Sequence, residues 1–293
     1  MHPMTRRGFT LVEILIAMML TTIVTGAVYR TIVESRRLQR TLYSRMDTAQ
    51  SARTTALFLG TALRELDAFQ GDLIARTDTS VRFRAARWTG ITCTNAVTSG
   101  GNLVIGIRNT QLWGAQLPTA GQDSIFLYLE VDPATRNDDR WVIGIVSAVA
   151  AGTCADLSAS TAVTFSIRAD DGGNAAVTAA NGFRRGGPMR GFQHEEVTMV
   201  PSGGMTWVGR RTMASNGTWS AFEPVVGPIM AGTGLNFALF DSLNVATTSV
   251  TNAASLQLTV RSLSREVGWR NGTNARHVDS IVTRIAMRNN TRF

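Results

Sequence analysis

The chain has 293 residues, 44% hydrophobic and 17% charged, with 29 basic against 21 acidic side chains and a formal charge of +8. That length can bury a real core, as one large or two small domains. The composition suits a globular body carrying a membrane segment and excludes a charge-rich disordered chain. Every basic residue is Arg and none is Lys, which reads as genomic base composition and carries no functional weight.

In chain order, Arg6-Arg7-Gly8-Phe9-Thr10-Leu11-Val12-Glu13 opens a nearly unbroken apolar run through Val28. About 20 such residues at ~1.5 Å rise each cross the ~30 Å bilayer core. Glu13 is the one carboxylate inside the run. On insertion scales an acid at mid-bilayer costs roughly 2.5–3.5 kcal/mol, so it marks a functional position that needs a partner. An ammonium within two turns neutralises such an acid, and removing that partner leaves an uncompensated charge at ~3–5 kcal/mol.

This string resembles the leader and cleavage site of type IV prepilins and type II secretion pseudopilins. The resemblance implies cleavage between Gly8 and Phe9 by an aspartic membrane peptidase, the prepilin peptidase, and N-methylation of Phe9. It also implies that Glu13 meets the terminal amine of a neighbouring pilin or pseudopilin during assembly. On this resemblance a subunit docked at the wrong height leaves Glu13 unpaired, so the pair acts as a register device, and cleavage, by freeing the amine, couples processing to assembly. Two plainer readings stand beside it. A conventional signal peptide has the same order of basic, apolar and small residues, with Thr25-Gly26-Ala27 as a weak cleavage site and a mature start near Val28. A simple membrane anchor is the other. Neither gives Glu13 a use. Counting cations does not orient the segment: Arg6 and Arg7 flank one end, and Arg30, Arg36, Arg37, Arg40 and Arg45 follow the other.

After Val28 the pattern stays helical and turns amphipathic. Leu38, Leu42, Met46 and Ala49 form a stripe that Ala52, Ala56, Leu59, Leu63 and Leu66 continue. No proline interrupts Phe9 to Phe69, and Gly26 and Gly60 are the only glycines there. This predicts one helix of roughly 55–60 residues, about 85–90 Å long, its second half packed on the body. Many major pilins carry a kinking proline near the end of the apolar run; this sequence has none there.

From Gln70 the period changes to two. Val81-Arg82-Phe83-Arg84, Leu103 to Arg108, Ile125 to Val131, Trp141 to Val149 and Val163 to Arg168 read as strands. Asp170 to Gly191 is rich in Gly, Ala and Asn, a loop or a divide between two sheets. Beyond it come Glu196 to Val200, Met205 to Arg211, Trp219 to Val226, Leu235 to Phe240, Leu256 to Leu263 and Asp279 to Arg288. Pro201-Ser202-Gly203-Gly204 predicts a hairpin turn.

The expected architecture is α+β, a long N-terminal helix packed on a largely antiparallel β-sheet body, pilin-like. Its parts are a leader at 1–8, a transmembrane half-helix at 9–28, an amphipathic half at 29–69 and a β-rich head at 70–293. The order of strands and turns over the last hundred residues resembles the larger minor pilins, closest to the PilW-type minor pilins and the J-type pseudopilins. Cys93 and Cys154 both fall in the head. Export favours a disulfide between them, closing a loop of about 60 residues and worth ~2–4 kcal/mol; two buried thiols are the alternative.

Catalytic signals are weak. His2, His194 and His277 are scattered, and consecutive residues of His194-Glu195-Glu196 point to opposite faces of a strand. No HExxH, phosphate loop, GxSxG or CxxC occurs, so neither an enzyme nor a cofactor is expected. Asp132, Asp138 and Asp139 near Asn137 offer oxygen ligands of the kind calcium takes, but Arg136 and Arg140 sit among them and the reading is a solvated turn, with no metal. Arg82, Arg84, Arg87 and Trp88, and Phe183-Arg184-Arg185-Gly186-Gly187 with Arg190 and Phe192, mix cations with rings as single-stranded nucleic-acid sites do. An ordinary basic surface with core aromatics is the favoured alternative. The resemblance places the protein in the bacterial inner membrane as a single-pass subunit with a periplasmic head, and later in a pilus or pseudopilus. Glu13 argues against the tip-most pseudopilin type, which usually lacks that acid. An exported nucleic-acid- or ligand-binding protein is the opposing class.

Overall fold

Helix α1 (Leu11–Arg64, 54 residues) leads into the body of the computed structural model. The structure describes residues 10–68, 70–130, 134–135, 139–171, 182–270 and 273–287. Thr10 caps α1, and at ~1.5 Å per residue the helix is about 80 Å long. It stops after Arg64, short of the expected residue 69, because the chain folds into a tight turn: Asp72 donates its N–H to the Asp67 carbonyl, and the Asp67 carboxylate accepts the Gln70 N–H. Leu66 joins the core from beyond the helix end.

The contact face of α1 corrects the predicted stripe. Ala52, Leu59 and Leu63 are buried as expected, but Leu38, Leu42 and Met46 stand 62%, 50% and 68% exposed. Hydroxyls take their place against the sheet: Ser44, Thr48, Ser51 and Thr55 are buried. The helix lies close to the strands there, and small side chains allow it. A Cβ on Gly268 would sit 3.0 Å from the Ser44 hydroxyl.

All strand pairs are antiparallel, and two long strands tie the body together. β2 (Val81–Thr92) and β8 (Pro188–Ser202) pair from Val81–Val197 to Ile91–Pro188. One half of this ribbon is flanked by β1 (Leu73–Arg76) and β9 (Met205–Met213). From β9 the sheet continues through β10 (Glu223–Ile229) to β13 (Ser255–Arg270). β13 also pairs β11 (Leu235–Phe240), which carries β12 (Ala246–Thr247), and β14 (Thr273–Ala286) on its other edge. Under α1, Leu59, Leu63 and Leu66 meet Val81, Phe83, Val197, Phe237 and Leu258 in the first core.

The other half of the ribbon is flanked by β4 (Asn102–Gly114) and β5 (Ser124–Leu129). β7 (Ala159–Ile167) pairs β4, β6 (Arg140–Thr153) pairs β7, and β5 pairs β6. The order β2-β4-β7-β6-β5-β8 closes on itself through β2–β8, giving a six-stranded antiparallel barrel; β3 (Val97–Ser99) pairs β4 outside the ring. Its inward residues Trp88, Ile105, Ile107, Ile125, Leu127, Val163 and Phe165 form the second core. Among the described residues the architecture is α+β, one α-helix and one large antiparallel sheet.

Most predicted strands lie inside observed ones, and β8 and β9 meet at Gly203-Gly204, whose φ of 59° and 73° suit a two-residue hairpin. Two strand starts differ from the expected ones. β8 begins at Pro188, inside the stretch read as a loop; of that stretch, 172–181 lie outside the described residues. β10 begins at Glu223, not Trp219: Trp219 makes only an isolated bridge to Met213, with its ring against the guanidiniums of Arg82 and Arg211 at 5.2 and 4.7 Å.

Candidate functional site

The helix entrance is built by Thr10 and Glu13. Glu13 donates its N–H to the Thr10 hydroxyl at 3.3 Å, and the Glu13 carboxylate accepts the Thr10 N–H at 3.0 Å and its hydroxyl at 3.1 Å. This reciprocal capping box satisfies two of the donors that a helix start leaves open. The Thr-x-x-Glu spacing was present in the sequence as a cap signal, though it reads first as part of the cleavage string. Gly8 and Phe9, the expected cleavage and methylation residues, lie outside the described residues. From Leu11 to Ile32 every residue of α1 is exposed. An 18-residue window within α1 reaches a mean hydropathy of 2.2, and none of that window is buried. A bare apolar rod leaves the body with one acid near its tip.

Residues 3–29 match the family described as the prokaryotic N-terminal methylation motif. The amino terminus is of the type IV prepilin and pseudopilin type. No curated protein and no solved structure matches the chain. The motif implies prepilin-type processing, and the apolar helix, the one such helix among the described residues, fits anchoring in a membrane.

The cysteines sit far from this segment. Cys93, just past β2, is bonded to Cys154 in the turn between β6 and β7, with Cα atoms 5.3 Å apart. The bridge staples one end of the barrel.

The remaining candidates fall on two faces of the β2–β8 ribbon. Val81, Phe83 and Ala85 pack in or against the first core, and their register partners Val197, Glu195 and Gln193 share that face. Arg82, Arg84, His194 and Glu196 share the opposite one. His194, Glu195 and Glu196 are therefore split, as the period of two requires. Burial, with Arg84, Arg168 and Arg82 nearby, pushes the His194 pKa down to about 4. Burial pushes Glu195 up, opposed by Arg210 and Arg87. Among the described residues no group of three or more His, Cys, Asp or Glu is placed to hold a metal. Asp139 is the one member of the acidic trio described; Asp132 and Asp138 lie outside.

The arginine–aromatic clusters are largely internal. Trp88, Phe183 and Phe192 are buried. Arg87 pairs with Asp123 at 2.6 Å and donates to the Gln193 amide oxygen at 2.8 Å. Arg190 grips Asp72 through both carboxylate oxygens at 2.6 and 2.8 Å. Glu196 takes Arg82 and Arg211 at 3.3 and 2.6 Å. Arg84 lies over Phe126 and Phe192 at 5.1 and 5.5 Å, and burial lowers its pKa. Arg185 is exposed. No local pattern marked Asp72 and Asp123 as partners, since 118 and 36 residues separate them from Arg190 and Arg87.

Proposed function

We propose that the protein is a non-enzymatic, minor pilin-like structural subunit of a type IV pilus. It waits in the inner membrane with its body in the periplasm, is cut after Gly8 by prepilin peptidase, is methylated on Phe9, and joins a helical fibre through α1. The observation that carries this reading is the methylation motif at residues 3–29 on a helix whose apolar half has no cover of its own. A two-core body suits the fibre tip, where a large head is easier to accommodate than in the shaft, and there it helps prime assembly with other minor subunits.

A minor pseudopilin of a type II secretion system shares the same motif and is the second reading. The opposing class, an exported nucleic-acid- or ligand-binding protein released by ordinary signal peptidase, is disfavoured by the commitment of Arg82, Arg87 and Arg190 to carboxylates. Mass spectrometry of the mature protein separates the classes. N-methyl-Phe9 at the terminus is the expected result; a start near Val28 overturns the fibre reading. The Glu13→Ala variant is expected to be processed normally yet to enter purified fibres poorly, and normal incorporation removes the register role.

A further inference from the structure

β14 pairs β13 on one edge and, among the described residues, nothing on the other. The direction of its backbone groups follows from two bonds. Arg261 donates to Gly234 and accepts from Met230, so the odd-numbered residues of β13 face β10 and β11. The even ones therefore face β14, where the register pairs Leu258 with Thr283 and Val260 with Ile281. It follows that Val278, Ser280, Val282, Arg284 and Ala286 aim their N–H and C=O groups outward. The Ser280 N–H is met by the neighbouring Asp279 carboxylate at 2.8 Å; the rest of the run is a template for another strand.

Beside that edge runs a groove of about 670 Å³ between β14 and α1. Ala56, Gly60, Ile281 and Ile285 supply its apolar walls, and Arg53 and Arg64 stand at it with Glu65. A Cβ on Gly60 would meet nothing within 4 Å. A strand added to β14 would satisfy the outward backbone groups and turn alternate side chains into this groove. Only an extended chain does both, and the two arginines select acidic groups on it.

We propose that the free edge of β14, with the α1–β14 groove, is a strand-addition site for an extended segment of a partner protein alternating apolar and acidic residues. The backbone ladder supplies affinity and the groove supplies side-chain selection. This holds whether or not the chain enters a fibre.

The test uses the full chain in lipid nanodiscs and an acetylated nine-residue peptide of alternating Val and Asp, with the Val/Lys peptide as comparison. Bound Val/Asp peptide is expected to slow amide exchange about 10-fold or more at Val278, Val282 and Arg284. Val282→Pro removes one outward N–H without taking a β13 bond, and Gly60→Leu fills the groove. Each is expected to weaken binding about 10-fold or more while the free protein melts no lower than before, Gly60→Leu somewhat higher because Leu favours the helix. Unchanged exchange overturns the proposal, as does equal binding of the Val/Lys peptide or binding that survives both substitutions. If Val282→Pro alters melting, Gly60→Leu decides alone. A dimer by sedimentation that Val282→Pro dissolves also overturns it, by assigning the edge to a second copy.

Discussion

At the residue scale, the junction between the two cores rests on one carboxylate. Asp123 is fully buried, paired to Arg87, and accepts the Trp88 indole N–H at 2.8 Å and the Thr119 N–H at 2.9 Å. The register of β2 shifts between Ala86 and Trp88, which turns Arg87 out of the barrel lining and toward this acid. Asp123→Ala leaves the Arg87 guanidinium without its counter-charge, with only the Gln193 oxygen as acceptor, and strands two N–H groups; the expected loss is ~3–5 kcal/mol, read from denaturant unfolding. His194 gives a pH test. Its folded pKa of about 4 lies below the ~6.5 of an unfolded His. Between those values the unfolded chain binds the extra proton, so this contribution is complete above pH ~6.5 and is lost as pH falls toward 4. The raised Glu195 works against it as pH falls, so the comparison is between variants. His194→Gln is expected to flatten stability against pH by up to ~1.4 kcal/mol per unit in that window. The lack of Lys also gains a structural consequence. A planar guanidinium can stack on a ring while pairing a carboxylate, as Arg211 does with Phe222 at 4.4 Å and Glu196 at 2.6 Å.

At the element scale, the strands were legible and their partners were not. Alternation in Val81–Arg84 or Leu235–Phe240 records which side is buried, and that is a local property. Closure of the barrel depends on β2 meeting β8 across about a hundred residues, and no local period carries that. The same limit explains Leu38, Leu42 and Met46. Helical spacing marks an apolar stripe without saying whether this body or another molecule covers it, and here the body takes the hydroxyl side. Cys93 and Cys154 were readable as a pair because only two cysteines exist. Their separation of 61 residues fixes the expected gain. The Cys93→Ser, Cys154→Ser double variant is expected to lose ~2–4 kcal/mol. Amide exchange is expected to rise first at the β6–β7 end of the barrel and to stay unchanged beneath α1, because the bridge lies wholly outside the first core.

At the scale of the whole molecule, one chain joins two environments with little contact between them. The first side chain of α1 to be buried is Ser44, while Leu11, Ile14, Leu15, Met19, Ile23 and Val28 are all at least 49% exposed. Both cores lie beyond that point: the first begins at Leu59 and the second at Trp88. Nothing in residues 10–33 therefore supports the fold of the body, although it governs solubility and, on the proposed function, assembly. A chain beginning at Glu34 keeps the buried hydroxyls, Ala52, Leu59 and Leu63, and is expected to fold in water without detergent. Its stability should match that of the full chain in nanodiscs within ~1 kcal/mol, about 2–4 °C in Tm for a body of this size. A larger loss would mean that the apolar rod contacts the body, and would remove the division between anchor and head.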